Sequence, residues 1–372
     1  MNERDLRIDF LRGLALLMIF IDHAPWNALS LFTLRTWSIG DASELFFFMS
    51  GYVAALVYGR TMERRGFAAA AVRIWRRGRD LYAAQIALLL SMAGFLLTYT
   101  WLTEDDSVVQ NFRLVPFANH PWTMTAHALA LRYQPTYLDI LPTYIVFFAV
   151  LPFLLWLLRR NVWMTLALSG ALYAAVQFTG WTFHTLPEQR GWLFDPFAWQ
   201  FLFTLGAAFG SGRLRPLLPW LRTRAVTISA AAVAAAIAIM VGTAAWHEAL
   251  PKIPSLYFFS IPSEKELLQA PRLLSFLALA LLAWRYMPDG GTLARFRLSR
   301  AVILCGQQSL SIFSAGVLLA ALASVVYGDW ESQFAVSVAT AMGVVILMGI
   351  AAALDWSQKN GLSFTRTQAA TT

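Results

Sequence analysis

Cysteine is almost absent from this 372-residue chain. Cys305 stands alone, which excludes an intramolecular disulfide and leaves no cysteine-based metal spacing. Charge is scarce as well: Asp, Glu, Lys and Arg make up 13% of the residues, where a soluble domain carries about 25%. That shortage excludes an ordinary soluble globular chain. No internal repeat, low-complexity tract or large basic domain stands out. The net charge of +8 and pI near 9.9 therefore do not describe a nucleic-acid binder. What fills the chain instead is hydrophobic side chain, 58% of the total. The stretch 225–245, AVTISAAAVAAAIAIMVGTAA, has no charge over 21 residues, long enough to cross the hydrocarbon core of a bilayer. The expected fold is all-α, a polytopic transmembrane helix bundle.

Hydrophobic segments predict about ten spans, near 9–28, 43–60, 80–101, 137–158, 162–179, 197–212, 225–245, 271–287, 301–325 and 334–355. Threading the chain through them puts 22 of the 29 basic residues on one side and 7 on the other. That asymmetry predicts that both termini are cytoplasmic. The first span follows mixed charges and lacks a small-residue cleavage site, so it reads as a retained helix. Residues 1–356 are expected to form one integral-membrane domain and 357–372 a polar cytoplasmic tail. The stretches facing outward (101–137, 180–195 and 246–270) are rich in aromatic residues, which suit membrane interfaces and also stack on sugar rings.

The first span, RIDFLRGLALLMIFIDH over 7–23, carries Arg12, Asp22 and His23. Ionisable groups at membrane depth are expensive and usually face a protein interior or a water-filled cavity. Arg12 and His23 are eleven residues apart, so on a helix they share one face about 16 Å apart along the axis. That geometry predicts a conduit lined by both. Asp41 and Glu44 in GDASEL fit a capping box at the start of the next span, and Glu44 falls at the depth of His23, where a carboxylate could orient an imidazole. Asp139 and Tyr144 begin the fourth span in YLDILPTYIV. In DPFAWQFLF, Asp195 reads as an N-cap with Pro196 behind it, Trp199 offers an aromatic platform, and Gln200 lies one turn inside. Gln307, Ser311 and Ser314 give the ninth span a polar face, for helix contacts or for substrate. Seven arginines between Arg60 and Arg79 read as a cytoplasmic loop. They serve membrane orientation, or a phosphate-bearing ligand through Arg73, Arg76 and Arg77.

Taken together these pieces resemble the membrane acyltransferase-3 superfamily, with its R-x10-H signature at Arg12 and His23, and within it the OpgC branch. The matching stretches are RIDFLRGLALLMIFIDHAPWNALS, DASELFFFMSGYVAALVYG, YLDILPTYIV, DPFAWQFLF and GQQSLSIF, spread over almost the whole chain. The resemblance implies a bacterial inner-membrane O-acyltransferase. It would move succinyl, or alternatively acetyl, from cytoplasmic acyl-CoA to a periplasmic glucan or other glycan. It implies a catalytic His23 and an Arg12 on the acyl-donor side. Acyl-CoA would be a substrate, with no tightly bound cofactor and no metal. In the expected mechanism His23 activates a sugar hydroxyl, or takes the acyl group itself, with Asp22 or Glu44 orienting the ring. Arg73, Arg76 and Arg77 would meet coenzyme A phosphates. Asp41, Asp139, Tyr144, Trp199, Gln200 and Gln307 are the candidate substrate contacts. The rival reading is a secondary transporter or flippase for a glycan-related substrate, which predicts broken helices and inverted repeats. A weaker third is a non-catalytic partner of a polysaccharide synthase.

Overall fold

The computed structural model describes residues 5–249, 263–330 and 332–360. Part of the aromatic stretch expected over 246–270 and most of the polar tail lie outside them. All regular structure among the described residues is helical, apart from one isolated bridge between His184 and Gly191. Eleven longer helices organise the bundle: α1 Leu6–His23, α2 Ala42–Ala54, α3 Arg60–Thr103, α4 Ile140–Arg160, α5 Val162–Thr179, α6 Pro196–Gly210, α7 Arg224–Ala249, α8 Ala270–Tyr286, α9 Arg297–Gln307, α10 Ser309–Trp330 and α11 Gln333–Lys359.

Helix fills most of each of the ten expected intervals. Among the described residues, six continuous stretches are long and apolar enough to cross a membrane by length and composition, with Ala42–Thr103 counted as one. The helices outside that set fail for identifiable reasons. Four ionisable residues besides His23 break the apolar character of α1, while α6, α8 and α9 are short.

Two expectations are corrected by the backbone. The arginine-rich stretch 60–79 is not a loop: a π-helical turn, Ala55–Gly59, links α2 directly to α3, and helix continues on both sides of a single break at Gly66. Gly66 takes φ 83°, a region that side chains with a Cβ avoid. Twelve residues of straight helix span about 18 Å. Yet an Arg73 Nη1 donates to Thr61 Oγ1 at 3.0 Å across this break, so the chain folds back sharply there. The ninth span is also broken. Gln308, at φ −103° and ψ 35°, separates α9 from α10.

Two seams lock the bundle. Where α1 crosses α9, a Cβ on Gly13 would sit 1.9 Å from the Val302 carbonyl oxygen, and one on Gly306 would sit 1.8 Å from that of Asp9. Where α2 crosses α6, Gly51, Gly206 and Gly210 bring the backbones equally close. The last two form a small-xxx-small pattern, which is how apolar helices approach when there is no water to expel. Aromatic rings fill the centre: Phe47 contacts Tyr144, Phe147, Phe194 and Trp199.

Candidate active site

Arg12 and His23 of the first span meet the same partner segment. Arg12 lines a cavity of about 130 Å3 with Ser50, Tyr58, Arg77, Tyr144 and Ser309. One of the donor-side arginines expected from sequence, Arg77, is thus brought to Arg12. Arg73 is exposed at the edge, with its guanidinium 5.7 Å from the Tyr58 ring centre. Arg76 is exposed and is not part of the lining. Tyr144, expected at the outward end of the fourth span, lines this cavity with its hydroxyl 3.1 Å from Ser50 Oγ. At the other end of α1, His23 is half-buried and stacks on Tyr137, ring centres 4.2 Å apart and planes 24° apart. The Tyr137 hydroxyl turns back and donates to the His23 carbonyl at 2.6 Å. Both anchors therefore face the segment that leads into and through α4.

The expected conduit lined by both is not formed by the Arg12 cavity among the described residues. His23 does not line the Arg12 cavity, and the Tyr137 ring covers one face of the imidazole. Tyr137 is also the partner that the sequence reading missed. It stands in YLDIL only two residues before Asp139, but no motif pairs a tyrosine with a histidine 114 residues away.

The carboxylates assigned to orient His23 are engaged elsewhere. Asp22 Oδ1 accepts from Thr33 Oγ1 at 2.6 Å, and its buried Oδ2 accepts no hydrogen bond among the described residues. Glu44 is 0% exposed. Its Oε1 takes Arg272 Nη2 at 2.6 Å and Nε at 2.8 Å, and its Oε2 takes the Asp41 backbone N–H at 2.8 Å. None of these three bonds comes from His23. The capping box itself is present: Asp41 Oδ1 accepts from the Ser43 N–H at 2.8 Å and from the Ser43 hydroxyl. Asp41 Oδ2 takes Lys265 Nζ at 2.8 Å and Arg272 Nη2 at 3.4 Å. Asp41 and Glu44 are thus two corners of a buried four-charge network, neutral in sum. Lys265 and Asp41, together with Arg35, lie close enough to His23 to act on it electrostatically.

How Lys265 reaches that network explains two other residues. Trp199, 0% exposed, donates its indole N–H to the carbonyls of Lys265 at 3.0 Å and Glu266 at 3.2 Å. Tyr173 and Gln177 of α5 bind the next two carbonyls, of Leu268 and Leu267. The Asp195 backbone N–H holds Glu266 O as well. Trp199 is therefore a buried scaffold and not an exposed sugar platform. Gln200 is similarly committed: its carbonyl accepts from Ser169 Oγ at 2.6 Å and its amide donates to Ser169 O at 2.9 Å, tying α6 to α5.

Gln307 lies at the far end from His23 and donates to Asp9 Oδ2 at 3.2 Å. It does not line the cavity, whereas Ser309 beyond the break does. Asp195 caps α6 through the N–H groups of Phe197 and Ala198. Its burial, outweighing these bonds, pushes its pKa up to about 6. Asp139 precedes α4 half-buried without a capping bond. Among the described residues no three His, Cys, Asp or Glu side chains form a group able to hold a metal.

These features define a multi-pass helical membrane protein in which a cavity lined by Arg12 and Arg77 is separate from a polar centre around His23. The family model for the OpgC protein matches residues 4–359, and the chain belongs to the OpgC family. That membership points to a membrane protein of glucan modification and to O-acyl transfer. No curated protein and no solved structure matches the chain.

Proposed function

We propose that this protein transfers an acyl group, succinyl first and acetyl second, from acyl-CoA on the cytoplasmic side of the bacterial inner membrane to a hydroxyl of a periplasmic glucan or related glycan. The proposal includes ten crossings, with both termini in the cytoplasm. The observation that carries it is the division of labour along α1. Arg12 shares a cavity with Arg77 at one level, and His23 stands about 16 Å further along the axis.

In this reading the guanidinium groups of Arg12 and Arg77 hold the anionic donor. The flexible arm of acyl-CoA bridges the gap to His23. The imidazole takes the proton of the sugar hydroxyl as its oxygen attacks the thioester carbonyl. It then returns that proton to the departing thiolate. Tyr137 replaces the carboxylate of the expected mechanism: stacking and the bond to the His23 carbonyl fix where the ring lies. The Arg12 cavity ends short of the imidazole, so the donor arm displaces side chains between them on arrival. Tyr144 and Ser50, paired in the cavity wall, are placed to hydrogen-bond the arm.

The test is reconstitution with labelled succinyl- and acetyl-CoA and an added glucan. Acyl-dependent thiol release is expected to vanish in His23→Ala and to survive in a variant such as Gln200→Leu. Glycan flux across sealed vesicles without thiol release, unchanged by His23→Ala, would establish the transporter instead.

A further inference from the structure

The π turn Ala55–Gly59 is a wall shared by two recesses. Val57 and Tyr58 line the Arg12 cavity; Ala55, Leu56 and Gly59 line a second recess of about 170 Å3. Single π turns inside helices recur at functional positions. Four arginines converge on the second recess from separate parts of the chain: Arg60 after the π turn, Arg159 at the end of α4, and Arg213 and Arg215 in the turn after α6. One acid, Glu63, joins them in the lining. Among the described residues none of these five makes an ion pair.

Membrane orientation accounts for arginines in each of these segments. All four are solvent-exposed, so their mutual repulsion is screened, but their meeting around one concavity offers an anion several cations at once. Leu155 and Leu158 give the recess an apolar side. Planar guanidinium forks facing one small space complement the oxygens of a phosphate, in pairs of parallel hydrogen bonds.

We propose that this recess binds a phosphate group, presented by an anionic phospholipid headgroup or by a soluble nucleotide. The site is distinct from Arg12 and Arg77 and does not require acyl transfer to occur. An occupant would press on the π turn whose other side forms the Arg12 cavity.

The experiment uses the full chain in phosphatidylcholine nanodiscs, with no acyl donor present. One arm titrates adenosine 3′,5′-bisphosphate and reads binding calorimetrically. A second adds phosphatidylglycerol to the discs and reads, by native mass spectrometry, how much remains bound after transfer to detergent. Arg159→Gln/Arg213→Gln is expected to weaken whichever ligand binds by about tenfold or more, since each charge-assisted bond is strong. Arg159→Lys/Arg213→Lys, which keeps the charge but loses the forks, should fall between, and Arg285→Gln, outside the recess, should match the wild type. Nucleotide binding that depends on the arginines assigns the soluble source; lipid retention that depends on them assigns the headgroup. If neither ligand distinguishes the Gln variant from the wild type, the proposal is overturned and the arginines serve orientation only. If, in the separate reconstitution with acyl-CoA and glucan, the wild-type chain shows no acyl-dependent thiol release while phosphate binding here is intact, that counts against the acyl-transfer reading alone.

Discussion

Replacing Arg272 by Met removes a charge beside Glu44, which cannot reach water. Glu44 is 0% and Arg272 7% exposed. The change takes away the bonds at 2.6 and 2.8 Å to Glu44 and the contact at 3.4 Å to Asp41. Asp41 still has Lys265 at 2.8 Å, but Glu44 keeps only the Asp41 N–H. Stranding one member of a buried pair costs about 3–5 kcal/mol. Removing both, as Glu44→Leu/Arg272→Met, replaces the pair by apolar groups of similar size, which is often close to neutral. The remaining loss is the capping bond from the Asp41 N–H, about 1 kcal/mol. A double-mutant cycle in mixed micelles, unfolded reversibly with dodecyl sulfate, should therefore give a double variant clearly more stable than Arg272→Met alone. The reasoning is refuted if Arg272→Met loses less than about 1 kcal/mol, or if the two single losses simply add.

Gly306→Ala should lower stability by several kcal/mol or block folding, because the new methyl has only the Asp9 carbonyl to occupy; Gly94→Ala, with nothing within 4 Å, should be neutral or slightly stabilising in the same micelle unfolding assay. Tyr137→Ala should reduce acyl-dependent thiol release about tenfold or more by freeing the imidazole, whereas Tyr137→Phe keeps the stacked ring and should retain most of it. Asp195 holds its proton more tightly in the folded chain, near pH 6, than in the unfolded one. Its contribution is therefore fully present below about pH 4 and lost as pH rises through about 6. Asp195→Asn keeps a good cap and should remove that part of the stability slope in unfolding measured across this range.

The fold was most legible where local chemistry sets the boundary. The expected 162–179 coincides with α5 because Asn161 caps its start and Gly180, at φ 63°, closes its end. Capping at Asp41 and Asp195 was readable for the same reason: each motif spans only a few residues. The stretch 60–79 misled because arginine is a good helix former, and composition alone does not distinguish a basic loop from a basic helix. Only Gly66 marks the turn. The ionic network was hidden for a different reason. Glu44 and Arg272 lie 228 residues apart, and no periodicity connects positions so distant. Trp199 and Gln200 were misjudged because a polar group inside a membrane helix looks functional until its partners, Lys265 and Ser169, are known.

The glycine seams bear on how the molecule can move. Carbonyl-to-Cα packing binds α1 to α9 and α2 to α6 along their lengths, making two stiff paired rods. His23 rides on the first rod and the Asp41–Glu44 charges on the second. Their separation can then change only by one rod tilting against the other, so a disturbance felt at Arg12 is carried to the imidazole as leverage, and loosening Gly13 or Gly306 would dissipate it along the way.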